Sequence, residues 1–187
     1  AEDGIRDVAV TGVQTCALPI WIFLLNPNGI LFTPTAQVDV GGIVASTLAM
    51  ADDDFMAGRF TFAGASSSAV VNQGNITALA DGKGGVITMI AAKVTNEGRL
   101  TAERGSVLLA AGRKVRLDLG GVVGLVVEQG AVDALVANGG AIVAPGGDVL
   151  LTAKAAAELP SASVNSAGLI EAQTLATGEQ GRIRLLA

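Results

Sequence analysis

A unit of the form Asn-x-Gly-x-Ile-x-Ala, a turn, and then Gly-x-Val-x-Leu-x-Ala occurs four times in this chain, and few folds can accommodate such a repeat. The first copy carries Asn72, Gly74, Ile76 and Ala78 and, after a longer loop, Gly85, Ile87, Met89 and Ala91. The second carries Asn96, Gly98, Leu100, Ala102, Gly105, Val107, Leu109 and Ala111. The third has Asn138, Gly140, Ile142, Ala144, Gly147, Val149, Leu151 and Ala153. The fourth has Gly168, Ile170, Ala172, Gly181, Ile183, Leu185 and Ala187, with Asn165 read as displaced by one inserted residue. Apolar residues at every second position share one face of an extended strand. Each copy is therefore expected to hold two strands and two corners, with the leading asparagines and the glycines, Gly98, Gly140 and their equivalents, supplying positive φ at the corners.

The leading asparagines lie 24 residues apart (Asn72 to Asn96), then 42 (Asn96 to Asn138), then 27 (Asn138 to Asn165). A spacing of 42 is close to two coils, so an intervening coil is expected to hold Val115, Leu117 and Leu119, then Leu125 and Val127. A helical solenoid needs apolar spacing near 3.6 over about a dozen residues. Here glycine interrupts every seven or eight, leaving only stretches such as Thr152–Leu159 open to helix. The economical architecture is all-β, a right-handed parallel β-helix with coils about 4.8 Å apart. Ala78, Ala102, Ala144 and Ala172 would line up as a column of small inward residues.

Residues 1–20 read differently. Val10–Ile20, VTGVQTCALPI, is the translation of a standard short-read sequencing adapter, and Ala1–Asp7, AEDGIRD, resembles the translated primer before it. This segment is set aside as an adapter-derived artefact. The expected domain is then 21–187, incomplete at both ends. Cys16, the single cysteine, falls in the artefact.

Composition narrows the chemistry. With no His, no Tyr and no cysteine after position 16, the usual nucleophile, general-base and soft-metal inventories are nearly empty, and a Ser-His-Asp or zinc enzyme is excluded within this segment. The net charge of -5, with Lys and Arg scattered singly, opposes a nucleic-acid footprint. The longest apolar runs, Ile20–Leu25 and Val122–Val127, are strand length, far short of the roughly 20 residues of a spanning helix.

Before the repeats stands Asn26-Pro27-Asn28-Gly29-Ile30. Pro27 fixes φ and Asn28-Gly29 tolerate left-handed geometry, so this is a corner. Asparagine can also stack in ladders between coils, each side-chain amide bonding to its neighbour. NPNGILF, VDVGGIVAST, DDDFMAGRFTF, VVNQGNITA and LLAAGRKVRLDLGG follow one another in this order. Together they resemble the haemagglutination-activity domain of filamentous-haemagglutinin-type exoproteins, the secreted partners of two-partner secretion systems, over about Trp21 to Ala187. The resemblance implies a right-handed parallel β-helix recognised in the periplasm by an outer-membrane β-barrel transporter, exported through it and folded at the cell surface. It also implies that Asn26, Pro27, Asn28, Gly29 and Ile30 form the transporter-recognition and secretion motif. A second Asn-Pro-Asn motif carried by such domains is not found in this sequence.

Asp52, Asp53 and Asp54 read as the acidic start of a short helical turn, with Asp capping its free N–H groups and suiting its dipole, rather than as a calcium site, because no Asp-x-Asp-x-Asn-Gly spacing accompanies them. The contrasting functional class is a β-helical carbohydrate-active enzyme, a polysaccharide lyase or hydrolase with acids on one outer sheet face. The outward positions Asn75 and Thr77, Arg99 and Thr101, Ala141 and Val143, Leu169 and Glu171 hold one acid. Those of the second strands, Val86 and Thr88, Ser106 and Leu108, Asp148 and Leu150, Arg182 and Arg184, hold no converging pair. The sequence is thus read as the non-enzymatic N-terminal secretion module of a large secreted or surface exoprotein of adhesin type, with no catalytic residue, metal or cofactor. Adhesion to host or neighbouring-cell glycans or proteins would lie in downstream regions, and the delivery stalk of a haemolysin or contact-dependent toxin would present the same module.

Overall fold

The computed structural model describes residues 20–79, 84–120, 123–156, 162–173 and 181–187. Cys16 and all of the adapter-like segment except Ile20 lie outside the described residues, as do positions 157–159 of the stretch open to helix.

The strands run in a repeating cycle around three parallel sheets. Among the described residues, β1 (Trp21–Leu25) precedes five coils of three strands each: β2 (Ile30–Phe32), β3 (Gln37–Val40) and β4 (Gly42–Ser46) make the first. After α1 (Asp52–Met56) and β5 (Phe60–Ala63) come β6 (Ala69–Asn72), β7 (Asn75–Ala78) and β8 (Val86–Ala91), then β9 (Lys93–Asn96), β10 (Arg99–Thr101) and β11 (Ser106–Ala111). β12 (Lys114–Asp118) and β13 (Gly124–Gln129) intervene before β14 (Ala134–Asn138), β15 (Ala141–Val143) and β16 (Asp148–Ala153). β17 (Ala162–Ser166), β18 (Leu169–Glu171) and β19 (Arg182–Leu186) close the series. The first sheet is β1-β4-β8-β11-β16-β19, the second β2-β6-β9-β14-β17 and the third β3-β7-β10-β15-β18. Every neighbouring pair within them is parallel, which makes the molecule a parallel β-helix.

The inward positions read from the repeat form the coil interior. Ile76, Ile87, Met89, Leu100, Val107, Leu109, Ile142, Val149 and Leu151 are buried in one cluster, with Ala78, Ala102 and Ala144 among them and Ala172 packed against it half-buried. Removing each large aliphatic from water contributes about 1.5–3 kcal/mol, the principal force holding the coils together. In the last strand, Ile183 and Leu185 are exposed instead.

Four expectations need correction. Each coil has three strands, because the residues leading into the asparagine form a strand of their own, the second sheet, which places Val70, Val94 and Val136 inside. The 42-residue interval holds no extra coil: Asn138 pairs in register with Asn96 across β14 and β9, and β12–β13 is an antiparallel hairpin outside the helix. Asn165 is not displaced by an insertion, since it pairs with Ala137 while Ser166 occupies the position opposite Asn138. Thr152 and Ala153, read as open to helix, lie in β16, where they extend the first sheet.

The glycine corners are also built on a different principle. Among the described glycines, positive φ occurs at Gly29, Gly58, Gly84 and Gly146, whereas Gly98 and Gly140 have none. A Cβ at Gly98 would overlap the carbonyl oxygen of Gly74, and one at Gly140 that of Gly98. Those oxygens accept the N–H of Arg99 and Ala141, each at 2.8 Å. These glycines are required by the close stacking of successive coils, not by backbone handedness.

Both excursions leave the helix between a first-sheet strand and a second-sheet strand, and they meet. β5, β12 and β13 form an antiparallel sheet in the order β13-β12-β5. It lies over the outer face of the first sheet, so Val44, Leu108 and Leu150 are buried with Phe62, Val115, Leu117 and Leu125 in a second apolar layer. Positions 86, 88, 106, 108 and 150, read as outward-facing, are buried, Leu108 and Leu150 beneath this layer. Burial on both faces explains why β8 and β11 read as continuous apolar runs rather than alternating ones.

Within this arrangement the Thr88 hydroxyl is buried and has no hydrogen-bond partner among the described residues. Thr88→Val keeps the shape and removes the unpaired oxygen, so it is expected to stabilise the fold by about 1 kcal/mol. Thermal unfolding followed by circular dichroism checks this, and a lowered Tm would contradict it.

Candidate functional site

The Asn26–Ile30 turn joins β1 to β2 at the edge of the first coil, and its polar groups are used mostly to close the corner. The Asn26 N–H donates to the Ser46 carbonyl at 3.0 Å, fixing the turn to the end of β4. The Asn26 side-chain oxygen accepts the Asn28 N–H at 3.1 Å, and the Gly29 N–H donates to the Asn26 carbonyl at 3.1 Å. From across the chain the Ser66 hydroxyl donates to the Pro27 carbonyl at 2.7 Å. Gly29 sits at φ +110°, where only glycine is unstrained, and a Cβ there would come within 3.3 Å of the Ala69 carbonyl. Ile30 is buried in the coil interior in register with Val70.

The five motif residues thus divide by role. Gly29 and Ile30 serve the fold, Asn26 organises the turn, and Pro27 and Asn28 are exposed. Asn28 offers solvent a carboxamide on a rigid turn, a group that donates and accepts hydrogen bonds but has no nucleophilic or acid–base reactivity near neutral pH.

Beside this turn, Phe23 of β1 stacks on Phe60 of β5 with ring centroids 5.4 Å apart, and Phe55 from α1 meets the Phe23 ring edge-on at 5.2 Å. α1 bears out the helical reading of the aspartates with one amendment. Ala51 holds the N-cap position without a side-chain bond, so Asp52, Asp53 and Asp54 act from the first turn through the helix dipole. Asp54 also pairs with Arg59 at 2.8 Å. Among the described residues no group of three His, Cys, Asp or Glu could hold a metal ion.

The repeat asparagines do not adopt the positive φ expected of them as corner residues but do stack between coils, forming a ladder inside the coil. The Asn72 amide donates to the Asn96 side-chain oxygen at 2.8 Å, the Asn96 amide to that of Asn138 at 2.7 Å, and the Asn138 amide to the Ser166 hydroxyl at 3.3 Å. All three asparagines are buried. The recurring Val-x-Asn of the second-sheet strands is the sequence signal for this ladder. On the surface, Arg182 of β19 forms a two-pronged pair with Asp148 of β16 at 2.8 and 3.1 Å. The hydrogen bond to Asp148, and then its charge, raise the Arg182 guanidinium above its usual value.

Comparison with known proteins agrees with this architecture. No curated protein matches the chain significantly. Among solved structures, the HMW1 secretion domain from Haemophilus influenzae superposes with a TM-score of 0.74 at 30% sequence identity, over 88% of this chain and 42% of that one. The present chain therefore spans less than half the length of that structure. The profile of the TPS secretion domain family matches residues 17–183. A chain matched over nearly all its length, with the parallel β-helix of a solved secretion domain, belongs to the TPS secretion domain family.

Proposed function

We propose that this domain is the N-terminal secretion module of a large bacterial exoprotein of adhesin type, exported through a partner outer-membrane β-barrel transporter to the cell surface or medium. The observation that carries the reading is the family match across residues 17–183 on a three-sheeted β-helix whose first corner is the Asn26–Ile30 turn. Stacked coils pairing each to the next suit a chain that crosses a membrane extended and then folds one coil at a time. The absence of any cysteine after position 16 leaves no disulfide in that part to obstruct passage. Adhesion to glycans or proteins of a host or neighbouring cell is assigned to regions downstream.

Within this reading the Asn28 side chain and the Pro27 ring meet the transporter, and Asn26, Gly29 and Ile30 shape the turn that presents them. Asn28→Ala is expected to leave stability within about 0.5 kcal/mol of the parent, as an exposed substitution does, while reducing transporter-dependent export severalfold. Asn26→Ala, which removes the acceptor for the Asn28 N–H, is expected to lower both stability, by about 1 kcal/mol, and export. Export is read as exoprotein in the medium relative to the periplasm. Unchanged export of Asn28→Ala would refute the assignment of recognition to this turn.

A further inference from the structure

Seven asparagines occur in the chain, and two of them, Asn28 and Asn138, are followed by glycine. Asparagine is among the thermally labile side chains. Before glycine it is least protected, because the following residue has no side chain to screen its backbone nitrogen from the asparagine carboxamide. The fold treats the two pairs in opposite ways.

At Asn138-Gly139 the reacting groups are held in place. The Asn138 side chain is buried, its oxygen accepts the Asn96 amide at 2.7 Å, and its own amide donates to the Ser166 hydroxyl at 3.3 Å and the Leu169 carbonyl at 3.4 Å. The Gly139 N–H donates to the Asn96 carbonyl at 2.8 Å. The carboxamide carbon cannot turn toward the Gly139 nitrogen without breaking the ladder. At Asn28-Gly29 the side chain is exposed, and its carboxamide nitrogen and oxygen make no hydrogen bond among the described residues. The Gly29 nitrogen is tied by one bond of 3.1 Å to the Asn26 carbonyl, near the long end of the usual range.

We propose that Asn28 is a site of spontaneous deamidation and that the asparagine ladder protects Asn138 from the same reaction. The Gly29 nitrogen, its proton taken by hydroxide, attacks the carbonyl carbon of the Asn28 side chain. The new N–C bond closes a succinimide as the bond to the side-chain nitrogen breaks, and that nitrogen takes a proton from water and leaves as ammonia. A second water opens the ring. Opening at the side-chain carbonyl gives aspartate, and opening at the main-chain carbonyl gives isoaspartate, in which the chain runs through the former side chain. Either product sets a new carboxylate beside Pro27, and isoaspartate also lengthens the main chain ahead of Ile30, which pairs in register with Val70. The reaction itself is independent of the transporter reading; under that reading it ages the surface the transporter meets.

The test is peptide mapping by mass spectrometry of the folded 187-residue chain, incubated at mildly alkaline pH, beside a sample in guanidinium chloride. The folded chain is expected to exchange carboxamide for carboxyl at Asn28 more than about tenfold faster than at Asn138, since an exposed turn opens at little cost and the ladder opens only with the coils. Both aspartyl and isoaspartyl forms of the Asn28 peptide are expected, and conversion is expected to quicken as pH rises, because the attacking nitrogen must lose its proton. In denaturant the two rates are expected to converge. No conversion at Asn28, equal rates at the two sites in the folded chain, products without isoaspartate, or a preference for Asn28 that persists undiminished in denaturant would each overturn the proposal.

Discussion

Gly98→Val is expected to be among the most damaging single substitutions in this domain, costing more than about 4 kcal/mol and leaving the chain largely unfolded near room temperature. Gly98 lies directly above Gly74 and below Gly140, and a Cβ would occupy the space of the Gly74 carbonyl oxygen. That oxygen cannot move aside, because it accepts the Arg99 N–H at 2.8 Å in the ladder joining the two coils. Separating the coils locally would disturb the pairing of β10 with β7 below it and β15 above it. Gly58→Ala is the informative control. Gly58 has φ +70°, and a Cβ there would meet nothing within 4 Å, so its cost is that of handedness alone, about 1 kcal/mol. Urea midpoints of Gly98→Ala, Gly98→Val and Gly58→Ala separate the two causes. If both Gly98 variants lie within about 1 kcal/mol of the parent, the stacking account of the repeat glycines fails.

Asn96→Ala is the second substitution expected to have a large effect. Asn96 accepts from Asn72 at 2.8 Å and donates to Asn138 at 2.7 Å, so its removal takes a partner from a buried donor on one side and a buried acceptor on the other. The Asn72 amide retains the Gly74 carbonyl at 3.2 Å, whereas the Asn138 side-chain oxygen loses its ladder donor. An unsatisfied buried polar group costs about 1–3 kcal/mol, and the small cavity adds to it. A total loss of about 2–4 kcal/mol follows, read as a shift of the urea midpoint with little change in slope. Asn165→Ala is the matched control, because that residue lies outside the ladder and is exposed. Equal effects of the two substitutions would show that the ladder contributes nothing particular.

The parts of the fold legible in the sequence are those governed by two-residue alternation. Ile76, Leu100 and Ile142, and Ile87, Val107 and Val149, announce themselves as inward residues through that alternation and the glycines preceding it, and all are buried together. The second-sheet strands are less visible, since they are short and end in an asparagine that reads as a corner. Their asparagines face inward as a hydrogen-bonded column, which no apolar pattern signals. The accessory sheet is hidden for a different reason. Val115, Leu117, Leu125 and Val127 alternate as a coil strand would, and alternation alone does not distinguish parallel stacking from an antiparallel hairpin. Glycine spacing marks the corners but not their cause, because close approach between coils is a property of the stack and not of any local segment. At the Asn26–Ile30 turn, the sequence locates the corner and the structure supplies its ties to Ser46 and Ser66, which are distant in the chain.

The most direct measurement is export of the complete exoprotein from its own locus in a Gram-negative host, with and without the partner barrel transporter. The account predicts exoprotein at the cell surface or in the medium when the transporter is present and its retention in the periplasm when it is absent. Equal export in both strains would contradict the assignment of this β-helix as a two-partner secretion module.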